Sequence, residues 1–263
     1  PLAYLCNLSL TEGVFPQELK YTKVIPIYKS SDPMIFSNYR PISLLSIFSK
    51  LLERLMYTRL IKFVKLHQIL YKYQFGFLEN HSTYMALLIL LDQITCALDE
   101  GKFVIGIFLD FKKAFDTIDH KILLGKLHHY GIRGIANNWF ESYLQNRQQC
   151  VHYNDVSSEF KTIKCGIPQG SILGPLLFLL YINDLASVSS VFMSLLFADD
   201  TNMFHVGSDI LTMVATINNE IAKVNEWLKA NNLSLNVDKT NYMLFSPRNR
   251  NIPIIDIKID GNS

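Results

Sequence analysis

The sequence predicts an α+β fold, and three observations carry that expectation. Apolar residues recur at helical spacing, most clearly Leu52, Leu55, Met56, Leu60, Phe63 and Val64. Phe103 to Leu109 (FVIGIFL) is a continuous apolar run rich in β-branched and aromatic residues, the mark of a strand buried on both faces. Strand-like and helix-like segments are mixed without the regular period of a parallel βαβ array.

Taken in order, the helix through Leu52 to Val64 sets Arg54, Lys62 and Lys65 opposite its apolar stripe. Thr83 to Leu98 reads as a second, largely buried helix that stops near Gly101. Beyond the strand at Phe103 to Leu109, Asp116-Thr117-Ile118-Asp119 offers capping carboxylates for a helix to about Tyr130, ended by Gly131. Ile135 to Gln145 reads as helix, followed by a hairpin-like stretch through Lys164. Gly166-Ile167-Pro168-Gln169-Gly170 breaks the chain, and Ser171 or a neighbour opens an apolar helix to about Leu185. Leu195 to Ala198 and Thr201 to Phe204 read as short strands around Asp199-Asp200. Asp209 to Asn231 is expected to be helical, and Asn241 to Phe245 and Ile254 to Ile259 to be strands. There is no internal repeat, low-complexity tract or linker-like segment.

At 263 residues, 49% hydrophobic and 18% charged, the chain can bury a substantial core and is not a disordered sequence. Its longest apolar run, Leu173 to Ile182, is about half of what a membrane-spanning helix needs. The start, Pro1-Leu2-Ala3-Tyr4, shows neither an initiator Met nor a signal pattern, so the sequence reads as an excerpt of a longer protein. Cys6, Cys96, Cys150 and Cys165 are scattered, with no C-x-x-C pair, which fits free thiols in a reducing compartment. The net charge of +2 hides an asymmetry. Residues 20–72 hold ten basic side chains against two acidic ones, a local +8, and the remainder carries −6. Such a division suits a protein that grips a polyanion at one end and holds cations at the other; a solvated lysine-rich face is equally compatible with composition alone.

Asp110 ends the FVIGIFL run and Asp199-Asp200 separates two apolar strands. Successive strand residues face opposite sides, so neighbouring aspartates converge only if they lie in a turn. Brought together by a fold, the three would form an all-oxygen, strongly negative site suited to Mg²⁺. Taken alone, an Asp-Asp pair is more often just a turn.

The motifs change that balance. N-Y-R-P-I-S-L (Asn38 to Leu44), F-L-D-F-K-K-A-F-D (Phe108 to Asp116), G-I-P-Q-G-S-I-L-G-P (Gly166 to Pro175), F-A-D-D (Phe197 to Asp200) and L-N-V-D-K-T (Leu235 to Thr240) stand in this order. Together they strongly resemble the reverse transcriptase of non-long-terminal-repeat retrotransposons, of the LINE and jockey-like kind, over roughly residues 20–260. The resemblance implies a right-hand polymerase fold, with fingers over about 1–102 and 132–164. The palm would take about 103–131 and 165–263, cut before the thumb. It implies an RNA-directed DNA polymerase, a nucleotidyltransferase acting on an RNA template, a DNA primer and dNTPs. Its cofactor would be two Mg²⁺ ions, with Mn²⁺ as substitute. The implied location is inside the cell, nuclear or cytoplasmic, with no membrane partner and no oligomeric state specified.

The same resemblance assigns roles to residues. Asp110 and Asp199 would bind both metals, Asp200 would complete the site, and the Phe111 carbonyl would ligate one ion. Phe115 matches the steric gate, whose ring crowds a ribose 2′-hydroxyl; otherwise it is a core aromatic. Gln169 and Gly170, within Gly166 to Ser171, match the segment that meets the incoming nucleotide, where glycine lets backbone approach closely. Lys29 and Arg40 match the basic residues that reach the triphosphate, Arg40 in the tighter motif; a solvated lysine is an equal reading of Lys29. Lys239 matches the lysine that protonates leaving pyrophosphate, against the alternative of a surface lysine opening a strand. Gln74-Phe75-Gly76-Phe77, with Ser82-Thr83 beyond it, resembles the template-contacting segment, which places Gln74 and Gly76 at the template; Leu78 departs from the arginine usual there. Ile254 to Gly261 resembles the strand leading into the primer grip. Three rivals stand beside this reading. An RNA-dependent RNA polymerase is disfavoured by the Phe115 ring, a decayed copy would bind RNA without catalysis, and a scaffold would show no salt-sensitive RNA binding.

Overall fold

Helical and strand segments follow one another along the chain much as their periodicity predicts. The computed structural model describes residues 1–248, 250, 252–253 and 255–258. In chain order they form α1 (Leu2–Glu12), β1 (Tyr21–Tyr28), β2 (Tyr39–Leu44), α2 (Ile47–Leu66), α3 (Thr83–Asp99), β3 (Phe103–Leu109), α4 (His120–His129) and α5 (Ile135–Leu144). There follow β4 (Gln148–Tyr153), β5 (Val156–Ser157), β6 (Lys161–Thr162), α6 (Gly174–Ile182), β7 (Met193–Phe197), β8 (Asp200–Gly207), α7 (Ile210–Ala230) and β9 (Asn241–Phe245). They fall into two compact units, one of Pro1–Ile69 with Phe115–Tyr181, the other of Leu70–Ala114 with Ile182–Ser263. This division differs from the fingers-and-palm boundaries expected from the motifs. It groups 70–102 with the strand Phe103–Leu109, and 115–131 and 165–181 with the N-terminal segment.

The first unit holds a sheet of order β2-β1-β4-β5, with β6 also on β4. Its core is aromatic: Phe15 meets the rings of Trp139 and Tyr143 edge-on, and those two rings stack at 5.6 Å. β1 and β2 were not anticipated, because Pro26 and Pro41 interrupt both segments. The ladder sets the two prolines directly opposite each other. β2 is an edge strand and β4 pairs with β1 only as far as Val24, so neither missing N–H costs a ladder bond.

The second unit holds an antiparallel sheet of order β7-β8-β3-β9. β3 is buried on both faces, with Val104, Ile105 and Ile107 all inaccessible, as the unbroken apolar run predicts. α3 packs on it through Ala86, Ile94 and Ala97, against Phe75, Leu195 and Phe204. The expectation that α3 is largely buried is corrected here: Tyr84, Leu87, Leu88 and Leu91 are exposed. One face of the helix, Ala86, Ile89, Leu90, Ile94, Ala97 and Leu98, meets the sheet, and the apolar residues of its other face do not. α7 buries Met213, Ile217, Ile221, Val224 and Leu228 at helical spacing. Of the strand expected at Ile254 to Ile259, both end residues lie outside the described ones, and 255–258 form no strand. The last part of the segment compared with the primer grip also lies outside them.

All four cysteines are free. Among the described residues no helix is long and apolar enough to cross a membrane.

Candidate active site

In the second unit β3 ends at Leu109, so Asp110 leaves the sheet at its rim. The segment Leu235 to Thr240 wraps this carboxylate. Asn236 donates its backbone N–H to the Asp110 carbonyl and its side-chain amide to Asp110 Oδ2, both at 2.8 Å. Phe111 is buried and pairs with Leu235. The strands β7 and β8 close in register through Phe197↔Asp200, leaving Ala198-Asp199 as a two-residue turn. Asp199 thus sits in the turn and Asp200 opens β8. Burial first, then the negative charges of Asp199 and Asp110, push the Asp200 carboxyl above its ordinary value. Asp200 therefore lies in the field of its neighbour Asp199 and of Asp110, which is remote in sequence. Asp110, Asp200 and Lys239 line a cavity of about 540 Å³ together with the start of α3.

Gln74 and Gly76 are placed behind this turn. Gln74 is 2% exposed, and its side-chain oxygen accepts the N–H groups of Gly76 at 2.8 Å and Ala198 at 3.1 Å. Backbone bonds Phe75 N–H to Leu196 O and Leu196 N–H to Tyr73 O fasten the segment along β7. Ala198 itself has φ +57°, a left-handed conformation that costs a non-glycine residue on the order of 1 kcal/mol or more and persists only where its surroundings hold it.

The first unit holds the other candidates. The 166–171 loop is tied to the segment after Ala114 by Gly166 N–H to Ile118 O and Ile167 N–H to Phe115 O. Gln169 Nε2 donates to Asp116 Oδ1 at 2.9 Å. The Phe115 ring stacks on Phe178 with centroids 4.6 Å apart. Gly170, at φ +120°, lies so close to β2 that a Cβ would come within 2.8 Å of the Ser43 carbonyl, and Ser43 N–H bonds Gln169 O. Lys29 and Arg40 are both exposed. Arg40 pairs with Ile27 and Lys29 N–H bonds Asn38 O, so the two cations occupy the same face of the β1–β2 hairpin.

Beneath the loop lies Glu53, which no motif singled out. It is 0% exposed; Oε2 accepts Ile172 N–H at 2.7 Å and Leu173 N–H at 3.3 Å, and Oε1 accepts from Ser49. Burial raises the Glu53 carboxyl, opposed by those bonds and by the charge of Arg147. Burial and the same Arg147 charge lower the Lys20 ammonium.

A model of the reverse transcriptase (RNA-dependent DNA polymerase) family matches residues 27–257. The chain belongs to that family. Three polymerases of Drosophila melanogaster mobile elements resemble this reverse transcriptase domain. One, described as a probable RNA-directed DNA polymerase from transposon BS, is 29% identical over 99% of the chain. One from the X-element, likewise described as probable, is 30% identical over 93%, and that of jockey is 28% identical over 97%. The domain is of the LINE or jockey-like kind. It spans 30%, 27% and 29% of those relatives' length. Among solved structures, apo telomerase from Candida tropicalis superposes with a TM-score of 0.61 at 15% identity, over 95% of this chain and 56% of that one. That likeness establishes the right-hand polymerase fold.

The aspartate cluster of this reverse transcriptase domain suits a hard divalent cation in charge and donor type. Its donors are carboxylate oxygens, and the Asp200 carboxyl, raised by burial and then by the charges of Asp199 and Asp110, is one whose ionised form a bound cation would favour. Among the described residues no three acids, histidines or cysteines stand close enough as they lie to share one ion. Asp110 is instead held by Asn236. The residues that sequence reasoning missed are supports: Asn236, in a motif read only for Lys239; Asp116, which holds Gln169; and Glu53. Glu53 alone had a separate signal, a carboxylate on the apolar stripe of α2.

Proposed function

We propose that the chain is the polymerase core of an RNA-directed DNA polymerase of a LINE or jockey-like mobile element, joining dNTPs to a primer 3′-hydroxyl on an RNA template. The observation that carries this reading is the pairing Leu109↔Thr201, which sets Asp110, just past β3, at the same rim of one antiparallel sheet as Asp199-Asp200 at the start of β8. Two Mg²⁺ ions, or Mn²⁺ in their place, held by these carboxylates and the Phe111 carbonyl would neutralise charge on the attacking and leaving oxygens of an in-line displacement. The Asn236 side-chain amide orients the Asp110 carboxylate through its bond to Oδ2. Lys29 and Arg40 bind the triphosphate from one face of their hairpin, the guanidinium forking onto phosphate oxygens. Phe115 blocks the 2′-hydroxyl of a ribonucleotide, and Gln169 with Gly170 lies along the sugar and base. Lys239 donates a proton to the pyrophosphate oxygen as the Pα–O bond breaks. The β7-β8-β3-β9 sheet belongs to the palm and the β1–β2 region to the fingers. Four free thiols fit action inside the cell, in nucleus or cytoplasm.

Primer extension on an RNA template with Mg²⁺ tests the proposal. Wild type should extend the primer with dNTPs, and Asp199→Asn should reduce extension to background. Equal background in both, with salt-sensitive RNA binding retained, would make the chain an RNA-binding module.

A further inference from the structure

The polymerase reading leaves a buried amide unexplained, and its geometry points to a role different from template contact. We propose that Gln74, with Gly76, is a positioning residue for the aspartate turn, a clamp that holds Asp199 and Asp200 forward.

β7 is the outermost strand of its sheet, so an unsupported β7–β8 turn would be free on that side. The segment Tyr73 to Gly76 closes that edge, bridging β7 in parallel through Gln74↔Leu196. Gln74 is too deeply buried to reach a nucleic acid, and its oxygen is already occupied by two N–H donors. One of those donors is Ala198, the residue immediately before Asp199 and the one held at positive φ. A single side-chain oxygen thus ties the turn's strained residue to the backbone of Gly76. Gly76 must lack a side chain for this to work. A Cβ there would lie 2.1 Å from Ala198 N and 2.8 Å from Ala198 Cα, both backbone atoms that cannot swing aside. The neighbours complement one another: a glycine lets the segment approach, and a glutamine fixes the turn it approaches. A turn so fixed presents its carboxylates without reorganisation when metal and nucleotide arrive.

This inference rests on the polymerase reading, and the two fail differently. The test measures Mn²⁺ binding to the 263-residue chain by calorimetry, alongside primer-extension kcat and KM and the thermal midpoint. Variants are Gln74→Leu, of similar volume without the acceptor, Gln74→Glu, which keeps an acceptor oxygen, and Gly76→Ala. Gln74→Leu and Gly76→Ala should weaken Mn²⁺ binding by about 10-fold or more and lower kcat at least as far, with KM for template–primer within about 2-fold. Gln74→Glu should retain most of the wild-type Mn²⁺ affinity. If Gln74→Leu does not fold, the shorter Gln74→Asn, whose oxygen falls short of Ala198, should show the same Mn²⁺ loss in folded protein. Wild-type Mn²⁺ affinity and kcat in a folded Gln74→Leu or Gln74→Asn overturns the clamp. A raised template–primer KM with both unchanged overturns it too, and returns Gln74 to the template. If wild type shows no Mn²⁺ binding that Asp199→Asn removes, the polymerase reading itself falls, and the clamp with it.

Discussion

Replacing Glu53 by Ala removes the acceptor for Ile172 and Leu173 N–H groups and for Ser49. Each bond to an ionised oxygen contributes about 1.5–3 kcal/mol net, so the two backbone bonds alone amount to about 3–6 kcal/mol. Against this stands the cost of burying the carboxylate, visible as its raised pKa. A third effect tips the balance. Arg147 is 1% exposed, and its Nε and Nη2 have no hydrogen-bond partner among the described residues, so the Glu53 charge is its compensation. Removing one member of such a buried charged set costs about 3–5 kcal/mol, and that is the expected loss. At about 2–4 °C per kcal/mol for a chain of this size, the melting midpoint should fall by about 10 °C. Urea unfolding followed by tryptophan fluorescence reads it directly, since Trp139 lies in the same core. Glu53→Gln keeps one acceptor and should lose less. It also isolates the titration. A carboxyl whose folded pKa is raised stabilises below its unfolded value, near 4.5, and loses that contribution as pH rises through the folded value. The stability advantage of wild type over Glu53→Gln should therefore shrink from pH 4.5 upward. A Glu53→Ala variant within about 1 kcal/mol of wild type, or an advantage that grows with pH, would refute the reasoning.

Two further outcomes follow from the nucleotide side of the site. Because Phe178 stacks on Phe115 and fixes its ring, Phe115→Val should raise ribonucleotide use relative to dNTP by on the order of 10- to 100-fold in kcat/KM; unchanged discrimination would sink the gate. Lys239→Ala should lower kcat by on the order of 100-fold or more while leaving dNTP KM nearly unchanged. A loss confined to KM would make Lys239 a binding cation instead.

What the sequence discloses and what it conceals follow one physical division. Elements with a clean period could be read. The α2 stripe, the FVIGIFL strand and α7 all stand where their apolar spacing puts them, because burial is imposed on the element as a whole. β1 and β2 could not be read, since Pro26 and Pro41 argue against strand wherever the free N–H side is unknown, and only the finished sheet shows it. The apolar content of α3 overstated its burial, because composition records what a helix can bury and not which face finds a partner. In the site, Asp110 and Asp199 stand within motifs that single them out. What a buried polar group holds is not legible in the same way, because its partner lies 119 or 124 positions away, as from Glu53 to Ile172 and from Gln74 to Ala198. Glu53 still left a trace. It shares the helical stripe of Leu52, Met56 and Leu60, where an ionised group is costly, so its presence there implied a buried partner. Gln74 stands in a motif that points to the template, and in an irregular segment with no period to betray its burial. A polar residue on an apolar stripe therefore marks a backbone held elsewhere in the chain, whereas the same device in a loop shows only once the loop has been folded against what it holds.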